Sequence, residues 1–318
     1  MSIVNTPPKL VIVVPCYNEE AVLTETNARL VGLLKELMAQ SKIAAESFVA
    51  YVDDGSKDST WQLVIRLQQE SGHVRGLKLA HNAGHQNALM AGMETFKDQA
   101  DAMVTIDADL QDDVNAIVAM VDAYLEGTDI VYGVRKERTT DTFFKRTTAQ
   151  FFYRLMTVLG TDTVYNHADY RLLSRRAVEE LCQYSERNLF LRGLVPLLGF
   201  PVKKVYYDRA ERFAGESKYP FRKMLAFAID GITSFSIKPI AVIFMSGIVC
   251  LLIGFAMLGW VFYSYFVGRV VAGWTSLMVS LWLIGGMIII SLGVIGNYVG
   301  KTYIEVKHRP RYHIEEKI

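Results

Sequence analysis

The carboxyl-terminal third of the chain contains two long stretches without a charged residue. No Asp, Glu, Lys, Arg or His occurs between Lys238 and Arg269, and none occurs between Arg269 and Lys301. Each stretch is long enough for a membrane-spanning helix of about 20 residues. Helices of soluble proteins rarely run so far without charge, which disfavours two buried helices of a soluble core. We therefore predict two transmembrane helices, at about 239–263 and 275–298.

Positive charges predict the orientation of these two helices as a hairpin over 239–300. Cytoplasmic segments next to membrane spans carry an excess of Lys and Arg. The connecting loop offers only Arg269, whereas basic residues cluster outside the hairpin at Lys218, Arg222, Lys223, Lys238, Lys301, Lys307, Arg309 and Arg311. The amino-terminal segment lacks the apolar stretch of a signal peptide. We expect a multi-pass protein of the cytoplasmic membrane, with both termini and the amino-terminal domain in the cytoplasm.

The first 218 residues alternate short apolar runs with helical patterns. Apolar runs predict strands at 10–14, 48–52, 76–80, 102–106 and 202–207, and periodic patterns predict helices at 19–38, 60–69 and 88–96. Strands that alternate with helices are typical of a mostly parallel sheet in an α/β domain. The sequence therefore predicts an α/β catalytic or binding domain over 1–218.

Two segments fit neither the sheet nor the hairpin. Residues 143–159 and 219–236 interleave aromatic and aliphatic residues with Lys and Arg. This pattern is typical of helices that lie in a membrane surface, although amphipathic helices packed on a soluble domain share it. We assign 219–238 to an interface helix and 301–318 to a cytoplasmic tail.

Composition excludes two classes of site. A net charge of +1 gives no face-wide basic excess, so we expect no nucleic-acid partner. The three cysteines, Cys16, Cys182 and Cys250, are scattered and indicate neither a disulfide framework nor a zinc site.

Glycines in the predicted spans permit close helix packing, either within the hairpin or in a homo-oligomer. These glycines include Gly247, Gly254, Gly285, Gly286, Gly293 and Gly296.

An acidic segment follows the predicted strand at 102–106. It reads Asp107-Ala108-Asp109-Leu110-Gln111-Asp112. Ligands of open α/β sheets bind at the carboxyl ends of the strands, where this segment begins. Its carboxylates repel one another, and Mg²⁺, which prefers oxygen ligands and is shared with substrate phosphates, would offset that repulsion. The alternative is a solvated acidic loop in which Asp109 caps the next helix.

Three further loops follow predicted strands and carry polar groups. They are Pro15-Cys16-Tyr17-Asn18-Glu19, Asp53-Asp54-Gly55-Ser56-Lys57-Asp58-Ser59-Thr60 and His81-Asn82-Ala83-Gly84-His85. Because the carboxyl ends of adjacent parallel strands converge, we expect all four loops to share one crevice.

These four loops resemble the motifs of the family-two glycosyltransferases of the GT-A fold. Further segments resemble the polyprenyl-phosphate branch of that family, which includes dolichol-phosphate mannose synthase and the bacterial bactoprenol glucosyltransferases. Those segments are Gly133-Val134-Arg135, Asp169-Tyr170-Arg171-Leu172, Arg192-Gly193-Leu194, Gly215-Glu216-Ser217-Lys218-Tyr219, Tyr303-Ile304-Glu305-Val306-Lys307 and Arg309-Pro310. The resemblance covers nearly the whole chain in order and spacing.

The resemblance implies roles for individual residues. Pro15, Tyr17, Glu19 and Asp54, together with Asp107, match positions that bind the nucleotide sugar. Asp107, Asp109 and Gln111 match positions that hold Mg²⁺ or Mn²⁺ and the donor diphosphate. The lipid phosphate of the acceptor is expected at Arg135, Arg146, Arg212 and Lys218. The implied catalytic set is Asp169 with Asp107 and Asp109, where Asp169 acts as a base or positions the sugar.

The resemblance also implies the reaction. It is the metal-dependent, inverting transfer of a sugar from a nucleotide donor to undecaprenyl or another polyprenyl phosphate at the cytoplasmic face of a bacterial-type membrane. A phosphate monoester is already largely dianionic near neutral pH, so it needs little help from a base. UDP-glucose is the favoured donor, and UDP-N-acetylhexosamine and GDP-mannose are alternatives. A processive polysaccharide synthase and a membrane-anchored sensor without turnover are alternative functions.

Overall fold

The computed structural model describes residues 6–136, 167–187, 189–208, 238–267 and 273–318. These residues belong to two compact units. The first holds the described residues up to 208 together with Arg309–Ile318, and the second holds those from 238 to His308. The helices predicted over 143–159 and 219–236 lie outside the described residues, as do the predicted boundaries near residue 218.

The described strands and helices alternate along the first unit, and the last two helices belong to the second unit. The strands are β1 (Leu10–Cys16), β2 (Phe48–Asp53), β3 (Val74–Leu79), β4 (Ala102–Thr105), β5 (Ile130–Arg135), β6 (His167–Ser174), β7 (Val202–Tyr207) and β8 (Ile314–Lys317). The α-helices are α1 (Leu23–Ala39), α2 (Thr60–Glu70), α3 (His85–Phe96), α4 (Ala116–Leu125), α5 (Arg175–Gln183), α6 (Leu191–Leu197), α7 (Lys238–Phe266) and α8 (Trp274–Val306).

The eight described strands form one sheet in the order β7-β5-β6-β4-β1-β2-β3-β8. Strands β4, β1, β2 and β3 are mutually parallel, and β5 is parallel to β7. Strand β6 runs antiparallel between β4 and β5, and β8 is antiparallel to the edge of β3. Every residue of β1 and β2 is buried, as expected for parallel strands covered by helices on both faces. The predicted α/β class and mostly parallel sheet are confirmed.

Helix α3 lies unusually close to the centre of the sheet. A Cβ atom on Gly92 would lie 2.5 Å from Val13 Cγ1 and 2.8 Å from Val52 Cγ2, so a larger residue has no room there. Leu89 and Met93 of the same helix are buried in the core. This close packing fixes the helix whose first residue, His85, enters the candidate site.

The carboxyl terminus returns to the sheet as β8. The Gly76 and Ile318 backbones exchange two hydrogen bonds, with N–O distances of 3.0 and 2.9 Å. The Trp61 indole donates to Glu316 Oε2 at 3.0 Å. The predicted tail at 301–318 is therefore divided, since 301–306 continue helix α8 and the last ten residues belong to the first unit.

Helices α7 and α8 lie within the two uncharged stretches and their flanks. Helices α7 and α8 extend beyond the predicted spans, to Phe266 and Val306. Many of their described apolar side chains are exposed, among them Phe244, Ile289 and Ile290. Within the described residues, Ile284–Val306 is long and apolar enough to cross a membrane by length and composition. A two-helix transmembrane hairpin stays a prediction.

Candidate active site

The loops after β1 and β2 are joined by reciprocal hydrogen bonds. The Asn18 backbone N–H donates to Ser56 Oγ at 2.9 Å, and the Lys57 N–H donates to Asn18 Oδ1 at 2.8 Å. The Glu19 N–H donates to Thr60 Oγ1 at 2.9 Å. These bonds hold the segment that carries Pro15, Tyr17 and Glu19, three of the predicted nucleotide-binding residues, against the second loop. The Tyr17 side chain is exposed.

Asp54 joins the second loop to the third. Its carboxylate accepts hydrogen bonds from the backbone N–H groups of Ala83, at 2.6 Å, and Gly84, at 3.0 Å. The pKa of Asp54 is raised, chiefly by burial and also by the Asp53 charge, although these two donors lower it. Both oxygens of this predicted nucleotide ligand therefore already accept a backbone hydrogen bond, and a nucleotide would use their remaining lone pairs.

Gly55 makes the close approach of these loops possible. It has a φ of +67°, and a Cβ atom there would lie 2.7 Å from both Asn82 N and His81 C. Backbone atoms cannot move aside as a flexible side chain can. A glycine at this position is therefore required both by the left-handed conformation and by the neighbouring loop.

The acidic segment after β4 alternates in exposure. Asp107, Asp109 and Gln111 are partly exposed, whereas Ala108 and Leu110 are buried. The Gln111 N–H donates to Asp109 Oδ1 at 3.1 Å. The three residues predicted to hold a metal and the donor diphosphate are thus the ones that this segment leaves accessible.

The charges around Asp107 fit a divalent cation. Partial desolvation raises the pKa of Asp107, and the carboxylates of Asp169, Asp112 and Asp109 raise it further, while His85 lowers it. No group of three His, Cys, Asp or Glu side chains among the described residues has metal-binding geometry. Two carboxylates and an amide suit Mg²⁺ or Mn²⁺ that takes its other ligands from substrate phosphates and water.

Asp169 lies in a different electrostatic environment. Strand β6 places Asp169 and Arg171 two residues apart and therefore on one face of the sheet. An Arg171 Nη atom donates to Asp169 Oδ1, and Arg192 Nη2 donates to Oδ2 at 3.1 Å. The Thr105 hydroxyl donates to the Asp169 carbonyl oxygen at 2.6 Å, which ties β6 to the end of β4. Asp169 is thus a buried carboxylate with two arginine partners.

These arginines reverse the effect of burial on Asp169. Burial by itself raises the pKa of this carboxyl, but the charges of Arg192, Arg171 and His85 together hold it well below its ordinary range. A carboxylate with so low a pKa binds a proton weakly. The geometry favours Asp169 as a positioning group over Asp169 as a general base.

Asp112, the last carboxylate of the acidic segment, has different partners from Asp107 and Asp169. It is buried and accepts from Arg135 Nη2 at 3.1 Å and from the Tyr207 hydroxyl at 2.7 Å. Arg135, predicted to bind a lipid phosphate, is thereby anchored, with a quarter of its side chain exposed. The other predicted phosphate ligands, Arg146, Arg212 and Lys218, lie outside the described residues.

Sequence reasoning gave no role to several residues that the fold brings to this crevice. Gln86 Oε1 accepts from the Leu191 N–H at 2.8 Å, and Gln86 Nε2 lies 3.5 Å from Asp169 Oδ2. Arg192 entered only as part of a motif. The pairing of Arg171 with Asp169 can be expected from the sequence, because alternate residues of a strand share a face, and the structure shows it. The pairing with Arg192 had no such signal, since 23 positions separate it from Asp169.

Comparison with known proteins gives a family match and full-length relatives. The family model described as glycosyl transferase family 2 matches residues 11–182. The chain is 50% identical over 311 residues to the uncharacterized glycosyltransferase YkoT of Bacillus subtilis, covering 98% of this chain and 92% of that protein. It is 37% identical to the bactoprenol glucosyl transferase of Shigella phage SfV, covering 97% of this chain and 99% of the relative.

Among solved structures, the chain is similar to glucosyl-3-phosphoglycerate synthase from Mycobacterium tuberculosis. That structure contains Mn²⁺, UDP-glucose and phosphoglyceric acid. The TM-score is 0.48 at 18% sequence identity, covering 72% of this chain and 78% of the other.

Proposed function

The chain belongs to glycosyl transferase family 2 and is a glycosyltransferase with a GT-A type of sheet, and we propose that it glycosylates a polyprenyl phosphate at a membrane. The donor is a nucleotide sugar, with UDP-glucose as the first candidate. The acceptor is undecaprenyl phosphate or a similar lipid. The reaction takes place at the cytoplasmic face of the membrane, and the product is a lipid that carries one sugar.

One observation carries this proposal. The similarity to a bactoprenol glucosyl transferase extends over 97% of this chain, so it includes the two apolar helices as well as the catalytic domain. A soluble enzyme with a small acceptor would not need a mostly apolar helical segment of 23 residues, Ile284–Val306, with side chains such as Ile289 and Ile290 exposed. The shared length therefore supports a lipid acceptor and a membrane location.

The donor side of the site is assigned to the loops after β1, β2 and β4. Pro15, Tyr17, Glu19 and Asp54 would bind the nucleotide, and Asp107, Asp109 and Gln111 would hold Mg²⁺ or Mn²⁺. When bound, the metal ion would supply Lewis-acid stabilisation of the negative charge on the departing diphosphate. Asp107 and Asp109 suit that task because their side chains are accessible and their mutual repulsion is relieved by a cation.

The acceptor side is assigned to Arg135 and Asp169. A phosphate oxygen of the lipid attacks the anomeric carbon, the bond from that carbon to the donor phosphate oxygen breaks, and the nucleoside diphosphate leaves with the electron pair. A single displacement inverts the anomeric centre. Arg135 would orient the attacking phosphate together with Arg146, Arg212 and Lys218. Asp169 would hold the sugar or its own arginine partners in place rather than remove a proton.

The experiment uses the full-length protein in detergent with a short-chain polyprenyl phosphate. UDP-glucose, UDP-N-acetylglucosamine and GDP-mannose are supplied in turn, each with Mg²⁺ or Mn²⁺. We expect a lipid-extractable product with one sugar from one of these donors. A polymeric product would indicate a polysaccharide synthase, and donor binding without any transfer would indicate a sensor. Either result would overturn the proposal.

A further inference from the structure

His85, the first residue of helix α3, lies between the two sides of the site. Its Nε2 atom is 3.6 Å from Asp107 Oδ1 and 3.7 Å from Asp169 Oδ2. When protonated, this imidazole also lowers the pKa of the Asp54 carboxyl. One imidazole therefore interacts with two carboxylates. These are Asp107, which is predicted to bind the nucleotide-sugar donor, and Asp169, which is paired with arginines on β6.

Without the His85 imidazole between them, the Asp107 and Asp169 carboxylates would face each other directly. Their repulsion is part of the reason why the pKa of Asp107 is raised. An imidazole N–H directed between them supplies positive electrostatic potential to both oxygens. The distances of 3.6 and 3.7 Å are those of an electrostatic contact rather than of two full hydrogen bonds.

The position of His85 is set by the loop contacts described above. Gly84, which precedes it, donates its N–H to Asp54, and Gln86, which follows it, accepts the Leu191 N–H. The His85 side chain itself is 42% exposed, so it fills little of the core. Its surroundings hold an accessible imidazole between Asp107, in the loop after β4, and Asp169, on β6.

We infer that His85 is a positioning residue that sets the separation of Asp107 and Asp169, and so holds the metal-binding carboxylate in place for the nucleotide donor. This inference rests on the proposed function. Loss of the imidazole should weaken metal-dependent binding of the nucleotide before it affects the fold. An amide that places an N–H near the same point should restore part of that binding.

The test compares His85→Ala and His85→Gln with wild type and with His73→Ala. His73 is a partly buried histidine that precedes β3, at the opposite end of that strand from the site, and it hydrogen bonds to the Ser47 carbonyl. Calorimetric titration with UDP, with and without Mn²⁺ and without any acceptor, measures binding in the absence of turnover. Thermal unfolding of each variant checks the fold, and steady-state kinetics then separate kcat from the KM of the sugar donor.

We expect His85→Ala to bind UDP with Mn²⁺ about tenfold more weakly, the scale of losing a group that orients a metal ligand. Its donor KM should rise more than its kcat falls, His85→Gln should recover part of the loss, and His73→Ala should bind as wild type does. Unchanged binding in His85→Ala, or an equal loss with and without Mn²⁺, would overturn the inference. A wild-type protein that transfers sugar while His85→Ala also binds normally would leave the proposed function standing. A wild-type protein that binds neither UDP nor GDP in the presence of Mn²⁺ would refute both.

Discussion

Asp107 and Asp169 are the same residue type in one crevice, yet their environments differ. The Asp107 side chain is 38% exposed, and three other carboxylates contribute to its raised pKa. The Asp169 side chain is 7% exposed, but two arginines hold its pKa well below the ordinary range. Burial raises the pKa of both carboxyls, so their opposite shifts are decided by the partners that the fold supplies.

This difference in environment suits the two carboxylates to different roles. A carboxylate surrounded by other carboxylates gains most from a bound cation, which suits Asp107 and its neighbour Asp109 to a metal–diphosphate complex. A carboxylate that already has two guanidinium partners gains little from another cation and binds a proton weakly. It is suited to fix the geometry of its surroundings. Substitutions of Asp109 and Asp169 distinguish these two roles.

The largest effect on catalysis is expected for Asp109→Ala, which removes a predicted metal ligand. Removing a ligand of the metal ion that neutralises the leaving diphosphate should lower kcat/KM by at least about a hundredfold, because metal stabilisation contributes several kcal/mol. The assay is transfer of radiolabelled sugar to lipid. Asp113→Asn, in the same loop, is the matched control and should change the rate little. Comparable losses in the two variants would mean that Asp109 has no special role.

At the arginine-paired carboxylate, Asp169→Asn should strongly lower the free energy of unfolding. It leaves Arg171, whose side chain is 2% exposed, without a carboxylate partner. Breaking a buried ion pair from one side costs about 3 kcal/mol or more in the free energy of unfolding. Chemical denaturation in detergent measures this cost. Asp122→Asn, which breaks the exposed pair with Lys42, should cost less than about 1 kcal/mol.

The same variant distinguishes a positioning group from a base. If Asp169 positions other groups, the folded Asp169→Asn protein retains measurable transfer. A variant that unfolds like wild type but has lost all activity would instead assign the proton-accepting role to Asp169.

A smaller effect, on binding of the nucleotide donor, is expected from Gly55→Ala, which disturbs the contact between the second and third loops. The substitution puts a side chain on a left-handed residue and against the His81–Asn82 backbone, at a cost of about 1–3 kcal/mol. The KM for the nucleotide donor should rise. Gly127→Ala, also at positive φ (+96°) but facing open space, separates strain from steric overlap and should leave this KM unchanged. Equal rises in KM would show that the loop contact is unimportant.

The smallest expected effect is that of pH on the stability contributed by the Asp169 carboxylate. Because the folded-state pKa of Asp169 lies below the unfolded value of about 3.9, its stabilising charge is fully present above that value. That contribution is lost only as the pH falls below the unfolded value and through the folded one. The stability difference between wild type and Asp169→Asn should thus be constant from pH 5 to 8. Unfolding measured across this range checks it, and a difference that shrinks between pH 7 and 5 would contradict the assigned pKa direction.

Much of the fold followed from local pattern. The apolar runs at 10–14, 48–52 and 102–106 became β1, β2 and β4, because buried parallel strands are continuous and apolar. Strand β8 had no such signal. Its sequence Ile314-Glu315-Glu316-Lys317 is mostly charged and exposed, and it joins the sheet through backbone hydrogen bonds that any residue except proline can make.

By itself, the sequence determined the α/β class, the family motifs, the loops that carry the site and the two uncharged helices. These are properties of spacing and composition along the chain. Only the tertiary structure decided which distant charges meet: Asp112 with Arg135, Asp169 with Arg192, and His85 between two carboxylates. The physical reason is that electrostatic interactions depend on distance through space and on burial. Neither quantity is encoded in the separation of two residues along the sequence.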